Sequence, residues 1–111
     1  MTISLAIDTA TSRTIVGVVD NGVVVFEEFH EGATDHGKAI SQLVAQALKS
    51  SKLVDQVVIG MGPGPFTGLR VGITFAQSFA LARSIPWIGV CSLDAIKIDS
   101  SIHNLNTDEY T

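Results

Sequence analysis

The sequence has few cysteines, few aromatic residues and no long apolar run. Cys91 is the one cysteine among 111 residues, which excludes an internal disulfide and a zinc site built from several cysteines. No apolar run approaches the roughly 20 residues that span a bilayer. Residues 1–4 lack the basic and then apolar stretch of a signal peptide. We therefore expect a cytoplasmic protein that makes no membrane contact.

Basic residues are also scarce. Seven Lys and Arg stand against eleven Asp and Glu, which gives a formal net charge of −4. Because cationic contacts to phosphate supply most of the affinity for nucleic acid, stand-alone binding to nucleic acid or to an anionic membrane is disfavoured. Apolar residues are plentiful at 46%, enough for one buried core and too many for wholesale disorder.

The first third of the sequence predicts three short antiparallel strands. Segments 4–8, 15–19 and 23–26 are apolar and rich in β-branched residues. Asn21-Gly22 separates the second segment from the third. This dipeptide is the strongest short signal for a hairpin, because a type I′ turn needs positive φ at both positions.

Helices and strands then alternate. Asp35 is a predicted cap for an amphipathic helix. Segment 57–59 has no polar member, which is typical of a central parallel strand, and segment 85–90 predicts a last strand. The apolar positions of the first helix recur at helical spacing: Ile40, Leu43, Val44, Ala47 and Leu48.

Three antiparallel strands extended by two parallel strands, with flanking helices, form the α/β layout of the ribonuclease H-like fold. The same layout is the repeating lobe of the actin-like (ASKHA) superfamily. We expect residues 1–98 to form one such lobe, with Ser92 and Asp94 opening a short last helix. Residues 99–111 are polar and aperiodic, and we interpret them as the start of a second lobe that is missing.

The most informative segment, 62–72, reads Gly-Pro-Gly-Pro-Phe-Thr-Gly-Leu-Arg-Val-Gly. A strand end, a glycine turn and a helix start can together bind phosphate through free N–H groups and the helix dipole. No Gly-Lys-Ser/Thr follows, and Thr67 stands where Gly-x-Gly-x-x-Gly needs its third glycine, which excludes both nucleotide motifs. The alternative is a tight turn whose glycines permit close packing. Either interpretation involves the same residues: Gly62, Pro63, Gly64, Phe66, Thr67, Gly68, Arg70 and Gly72.

The second helix, predicted from a Thr67 cap to about Arg83, is apolar nearly all round. One stripe contains Leu69, Gly72, Ile73, Ala76 and Ala80, and another contains Val71, Phe75, Phe79 and Ala82. One face can pack on the sheet, and little of so short a chain remains to cover the other. We therefore predict a partner interface, with these residues divided between the core and the partner: Leu69, Ile73, Phe75, Ala76 and Phe79. The alternative is a central helix covered by the first helix alone.

The end of the first strand carries Asp8, Thr9 and Thr11, at the position where the actin-like superfamily places its first phosphate loop. An acid there can hold a metal-bound water, and a hydroxyl can meet a phosphate. A two-metal nuclease needs further carboxylates near Asp8. The first helix supplies none after Asp35, so the nuclease chemistry is excluded while its fold is kept.

The other residues whose side chains could bind a metal do not form a recognisable metal-binding pattern. His30, Glu31 and His36 do not match the His-x-x-x-His spacing of one helical face, and we expect them in solvated loops. Cys91 has no His or Lys nearby in sequence, which favours a buried, inert thiol.

The glycine motif over 62–72 closely resembles the signature of the TsaB (YeaZ) family, relatives of the glycoprotease-like TsaD/Kae proteins. Three other segments agree: 5–11 is similar to the first strand and degenerate phosphate loop of the family, Asp35-His36 precedes the first helix, and 87–94 is similar to the fifth strand and the short helix after it. The resemblance covers residues 1 to about 98.

The resemblance implies a non-catalytic subunit. Such proteins support TsaD in transferring a threonylcarbamoyl group to the adenosine beside the anticodon of certain tRNAs, together with the ATPase TsaE. They form homodimers, or heterodimers with TsaD, through helices of the N-terminal half, and they meet tRNA only through the complex. TsaD binds a metal through His-x-x-x-His, which this sequence lacks. The resemblance therefore implies no catalytic residue, no metal and no cofactor here, and the alternative is an ATP-binding or glycoprotease-type enzyme domain.

Overall fold

The computed structural model describes residues 2–10, 13–31, 36–51, 53–63 and 66–91. No helix in these ranges is long and apolar enough to cross a membrane. The elements in chain order are β1 (Ile3–Asp8), β2 (Arg13–Asp20), β3 (Val23–Glu31), α1 (His36–Ser50), β4 (Gln56–Gly60), α2 (Phe66–Arg83) and β5 (Trp87–Val90).

The five strands form one mixed sheet in the order β3-β2-β1-β4-β5. The first three are antiparallel, β4 runs parallel to β1 with Leu5 beside Val57, and β5 runs parallel to β4. The predicted α/β, ribonuclease H-like layout is thereby confirmed. The crossovers β3–α1–β4 and β4–α2–β5 advance across the sheet in the same direction, so the right-handed rule places both helices on one face.

The main core lies between that face and the two helices. The same buried cluster contains side chains of the strands and of both helices, including Leu5, Ile7, Val16, Val18, Val57, Ile59, Ile40, Leu43, Ala47, Ala76 and Ala80. Full burial of one aliphatic side chain stabilises the fold by about 1.5–3 kcal/mol. A smaller cluster of Ala6, Val19, Val58 and Val90 lies on the opposite face.

The β2–β3 hairpin has the turn that the sequence predicts, but its strand β3 is longer than predicted. Asn21 and Gly22 have φ angles of 54° and 88°, the two positive values that a type I′ turn requires. β3 continues to Glu31, well past the predicted end near Phe26, because each added residue pairs with β2 as far as Arg13. The apolar pattern ends earlier because β3 is an edge strand whose side chains are largely exposed.

Two sequence expectations need correction. His30 and Glu31 are exposed as predicted, but they lie on β3 rather than in a loop, and Glu31 pairs with Arg13 at 2.8 Å. α2 begins at Phe66, so Thr67 stands in its first turn rather than before it. Helix ends are defined by backbone hydrogen bonds, and these shift by a residue or two from a cap signal.

Several predictions fall outside the described residues. They concern Thr11, Gly64, the Asp35 cap, the helix opened by Ser92 and Asp94, and the segment 99–111. The side chains of Phe66 and Thr67 also fall outside them. Cys91, predicted to be buried, is half-buried at the end of β5, where the chain leaves the sheet.

Replacing Gly22 by Ala tests the turn. At φ 88° a Cβ is strained, so Gly22→Ala should lower the free energy of unfolding by about 1 kcal/mol, measured by urea denaturation. Asn21→Gly is the control, because glycine accepts φ 54° without strain, and its effect should stay within about 0.5 kcal/mol. Equal losses in both variants would contradict a type I′ turn.

Candidate functional site

The end of β1 is closed by a local hydrogen bond. The backbone N–H of Ala10 donates to Asp8 Oδ1 at 2.8 Å, which is the turn that an Asp side chain makes with the backbone two residues on. Asp8, Thr9 and Ala10 are 5%, 0% and 1% exposed. The predicted phosphate-loop residues in the described part of the chain are therefore inside the protein.

α2 lies directly against this loop. The Thr9 hydroxyl donates to the carbonyl oxygen of Gly68 at 2.6 Å. A Cβ placed on Gly72 would overlap Thr9 Oγ1 and would lie 3.0 Å from Thr9 Cγ2. The motif glycines of α2 thus leave the space that the Thr9 side chain fills.

His36, the first residue of α1, joins the same contact. Its Nδ1 lies 2.7 Å from Thr14 Oγ1 on β2, and a Cβ on Gly68 would lie 2.8 Å from His36 Nε2. His36 is 5% exposed, so the expectation of a solvated loop residue is wrong. The ring is held inside by its hydrogen bond to Thr14, which is itself fully buried.

These contacts join four elements at one place, the Thr9 junction, formed by Thr9, Thr14, His36, Gly68 and Gly72. Sequence reasoning selected Thr9, Gly68 and Gly72 separately, named His36 only as a residue of a solvated loop, and missed Thr14. Nothing local marks Thr14, because it stands in an otherwise ordinary β-branched strand. The sequence of α2 does carry a signal for this contact, because a small residue stands at every fourth position. The structure buries all four of them: Gly68, Gly72, Ala76 and Ala80.

The junction has the chemistry of a packing contact rather than of a phosphate site. A hydroxyl that meets a phosphate must be accessible, and the Thr9 hydroxyl is enclosed and donates to α2. Among the described residues, no group of three or more His, Cys, Asp or Glu side chains comes together as a metal site would require. The geometry therefore favours the alternative in which the glycines permit close packing.

The larger side chains of α2 lie beside or outside the buried stripe. Leu69 and Ile73, grouped by spacing with the core stripe, are only half-buried, while Ala76 is fully buried and faces the sheet. The Phe75 and Phe79 rings stack with centroids 6.2 Å apart, and the Arg83 guanidinium lies 4.6 Å above the Phe79 ring.

An open depression of about 410 Å³ lies beside Phe75 on α2. It is lined by Arg70, Val71, Thr74 and Phe75. Val71 faces α1, since a Cβ on Gly37 would lie 3.9 Å from Val71 Cγ1. Phe75 of the stacked pair therefore borders this depression, which lies on α2 beside the residue that faces α1.

The family model for TsaD, described as tRNA N6-adenosine threonylcarbamoyltransferase, matches residues 29–108. The chain belongs to the TsaD family. Within this family it is TsaB-like: it is 38% identical over 93 residues to the tRNA threonylcarbamoyladenosine biosynthesis protein TsaB of Escherichia coli, covering 80% of this chain and 40% of that protein. The predicted TsaB (YeaZ) resemblance is confirmed.

Two further proteins are similar to this chain. It is 45% identical over 98 residues to an uncharacterized protein of Mycobacterium tuberculosis, covering 83% of this chain and 46% of that protein. The solved structure of YeaZ from Pseudomonas aeruginosa superposes with a TM-score of 0.75 at 28% identity, covering 82% of this chain and 44% of that one. The chain thus spans less than half the length of these relatives.

A double-mutant cycle tests the close contact at Gly72. Gly72→Ala should lower the free energy of unfolding by about 2–3 kcal/mol, because its Cβ overlaps the Thr9 side chain. Combining it with Thr9→Ala, which removes the overlapping atoms, should lose at least about 1 kcal/mol less than the two single changes added together. Gly37→Ala, whose Cβ meets nothing closer than 3.9 Å, is the helical control and should be neutral or stabilising. Additive losses at Thr9 and Gly72 would contradict the junction.

The hydrogen bond between Thr14 and His36 gives a second stability test. Thr14→Val keeps the shape and removes the hydroxyl, which leaves a buried ring nitrogen without that partner and should lower the free energy of unfolding by about 1–3 kcal/mol. Thr74→Val, on the exposed side of α2, should change it by less than about 0.5 kcal/mol. Urea denaturation measures the stability of both variants. A Thr14→Val protein as stable as the parent would show that His36 is not held by Thr14 in the Thr9 junction.

Proposed function

We propose that this chain is a TsaB-like, non-catalytic subunit in the biosynthesis of threonylcarbamoyladenosine in tRNA. It associates with a TsaD-like catalytic subunit and a TsaE-like ATPase, forms a homodimer alone, and meets tRNA only through the complex. We assign this role to a lobe of residues 1–98, with 99–111 as a polar tail, acting in the cytoplasm. The named function of the Escherichia coli TsaB relative supports the process.

The observation that carries a scaffold role is the division of α2 into two sides. Its buried side is built of Gly68, Gly72, Ala76 and Ala80, so the large apolar residues lie elsewhere on the helix. All four of these larger residues are half-buried: Leu69, Ile73, Phe75 and Phe79. The last three pack against the core with the part that is covered. Aromatic side chains that border a groove are the usual anchors of a protein interface.

The closed end of β1 supports the non-catalytic part of the proposal. An ATP-binding or glycoprotease-type domain of this fold would use the residues after β1 to hold phosphate or metal-bound water. Here Thr9 is fully buried and donates its hydroxyl to Gly68, and Asp8 Oδ1 accepts from the backbone of Ala10. The Asp8 side chain therefore holds the loop after β1, and the Thr9 side chain holds α2 against it.

Replacing the aromatic anchor tests the proposal. Phe75→Asp places a charge at the apolar depression on α2. We expect it to weaken association with the TsaD-like subunit by at least about 100-fold, measured by calorimetry. Leu53→Asp is the matched control, since Leu53 is 76% exposed and lies outside both helices. Circular dichroism verifies that each variant is folded, and Phe79→Ala provides a milder second variant. Unchanged affinity in folded Phe75→Asp and Phe79→Ala proteins would refute the interface.

A further inference from the structure

β3 is an edge strand that is open along its outer side. It lies at one end of the sheet, and among the described strands it pairs with β2 alone. It is nine residues long, and all of them except Phe26 are exposed. Because a long edge strand presents backbone N–H and C=O groups, another extended chain can pair with it.

One backbone hydrogen bond shows which residues of β3 turn those groups outward. The Asn21 N–H donates to the carbonyl oxygen of Thr2 at 2.9 Å, so the hydrogen-bonded pairs between β2 and β1 continue from there at every second residue. These residues of β2 point their backbone groups away from β3, and the residues of β3 opposite them point theirs away from β2. The register assigns the outward orientation to four residues: Val24, Glu27, Phe29 and Glu31.

A bulge separates the first of these residues from the other three. Val24 lies opposite Val19 and Phe26 opposite Val18, which leaves Val25 as the extra residue. A bulge interrupts the ladder and increases the local twist of the strand. The regular part of the outer edge is therefore the segment 27–31, where outward residues stand at alternate positions.

The outward residues of this segment also share one face of the sheet, because their spacing is two. Phe29 is 52% exposed and lies between Glu27 and Glu31 along the strand. The Arg13 guanidinium lies 4.6 Å from the centre of the Phe29 ring and pairs with Glu31 at 2.8 Å. Glu28 adds a third exposed carboxylate to the segment, so three carboxylates stand against one guanidinium.

We propose that the segment 27–31 binds an extended segment of another protein as an added antiparallel strand. That segment carries a basic, an apolar and a basic residue at alternate positions. Main-chain hydrogen bonds give such a strand its affinity, and its alternate side chains give specificity. Residues directly opposite each other interact across strands, so the basic residues meet Glu27 and Glu31 and the apolar residue meets Phe29. Neither helix takes part, and the proposal is independent of the proposed function.

A second copy of this chain fits the same edge less well. Two antiparallel copies that overlap over the whole segment place Glu27 of one copy opposite Glu31 of the other at both ends, with Phe29 at the centre. Like charges directly opposite each other destabilise strand pairing. The carboxylates therefore oppose pairing between copies and favour a basic strand.

A short peptide tests the pairing. The probe is Lys-Thr-Val-Lys-Lys-Val with its ends acetylated and amidated, and in the antiparallel register its first Val lies opposite Phe29. We expect it to shift the backbone amide NMR signals of the segment 27–31 and of the facing residues of β2, reaching saturation as peptide is added. The same peptide with Glu in place of each Lys should cause no shift, because its charges repel those of β3.

Methylating single peptide nitrogens distinguishes an added strand from a peptide held by charge alone. Pairing with Phe29 needs the N–H of the first Val, so methylation there should weaken binding at least about tenfold. The N–H of the neighbouring Thr points away from β3, and methylation there should keep the affinity within about twofold. Both methylated peptides keep every lysine.

Two double variants of the chain localise the charge effect. Glu27→Gln combined with Glu28→Gln should weaken binding of the lysine peptide about three- to tenfold. Gln42→Lys combined with Gln46→Lys changes the net charge by the same amount at two exposed positions of α1, and it should leave the affinity within about twofold of the parent.

The remaining outcomes would overturn the proposal. Equal binding of the two methylated peptides would exclude an added strand. Signals of the segment 27–31 that shift with the concentration of the chain, without peptide, would make a second copy the occupant. A lysine peptide that shifts no signal of β3 would exclude this edge as a binding site, while the subunit role would stand.

Discussion

The distance between α2 and the end of β1 is the constraint on which the rest of this structure depends. It is set where Thr9 enters the space over Gly72 and donates its hydroxyl to Gly68. A side chain at either glycine would meet buried atoms, at Gly68 the His36 ring and at Gly72 the Thr9 side chain. Because His36 is in turn held by Thr14, one contact fixes two strands and two helices together. Two glycines of the motif, Gly68 and Gly72, here let the backbone of α2 approach the end of β1.

This constraint has opposite effects on the two sides of α2. Small inward residues bring the helix close to the sheet, but they bury little apolar area of their own. The large residues of α2 then lie at its flanks, where Phe75 and Phe79 stack and Phe75 borders the depression on this helix. The burial of Thr9 after β1 and the half-buried apolar residues at the flank of α2 are therefore two results of the same packing. Both support the proposed role as a subunit that binds a partner.

Much of the fold could be predicted from the sequence because its signals are local. The Asn21-Gly22 turn, the 3.6-residue period of α1 and the apolar segment 57–59 of β4 each arise from neighbouring residues. The extension of β3 could not be predicted, since pairing with β2 rather than apolar pattern defines that edge strand. At the site, Thr9 and the motif glycines could be selected one by one, but not their meeting, because 59 residues separate Thr9 from Gly68. His36 was misread as solvated because a lone histidine beside an acidic residue shows no sign of a buried hydroxyl from another strand.

The arrangement of residues around α2 explains how this helix can pack closely on the sheet and still carry large side chains at its flanks. A helix in a small lobe has a single side against the sheet, and the residues on that side set how near it lies. Phe75 and Phe79 are half-buried and pack against the edge of the core, while Gly68 and Gly72 meet Thr9 and set how near the helix lies. Steric fit at Gly72 therefore fixes how near α2 lies to the end of β1, and the larger residues of the helix take the positions beside that contact.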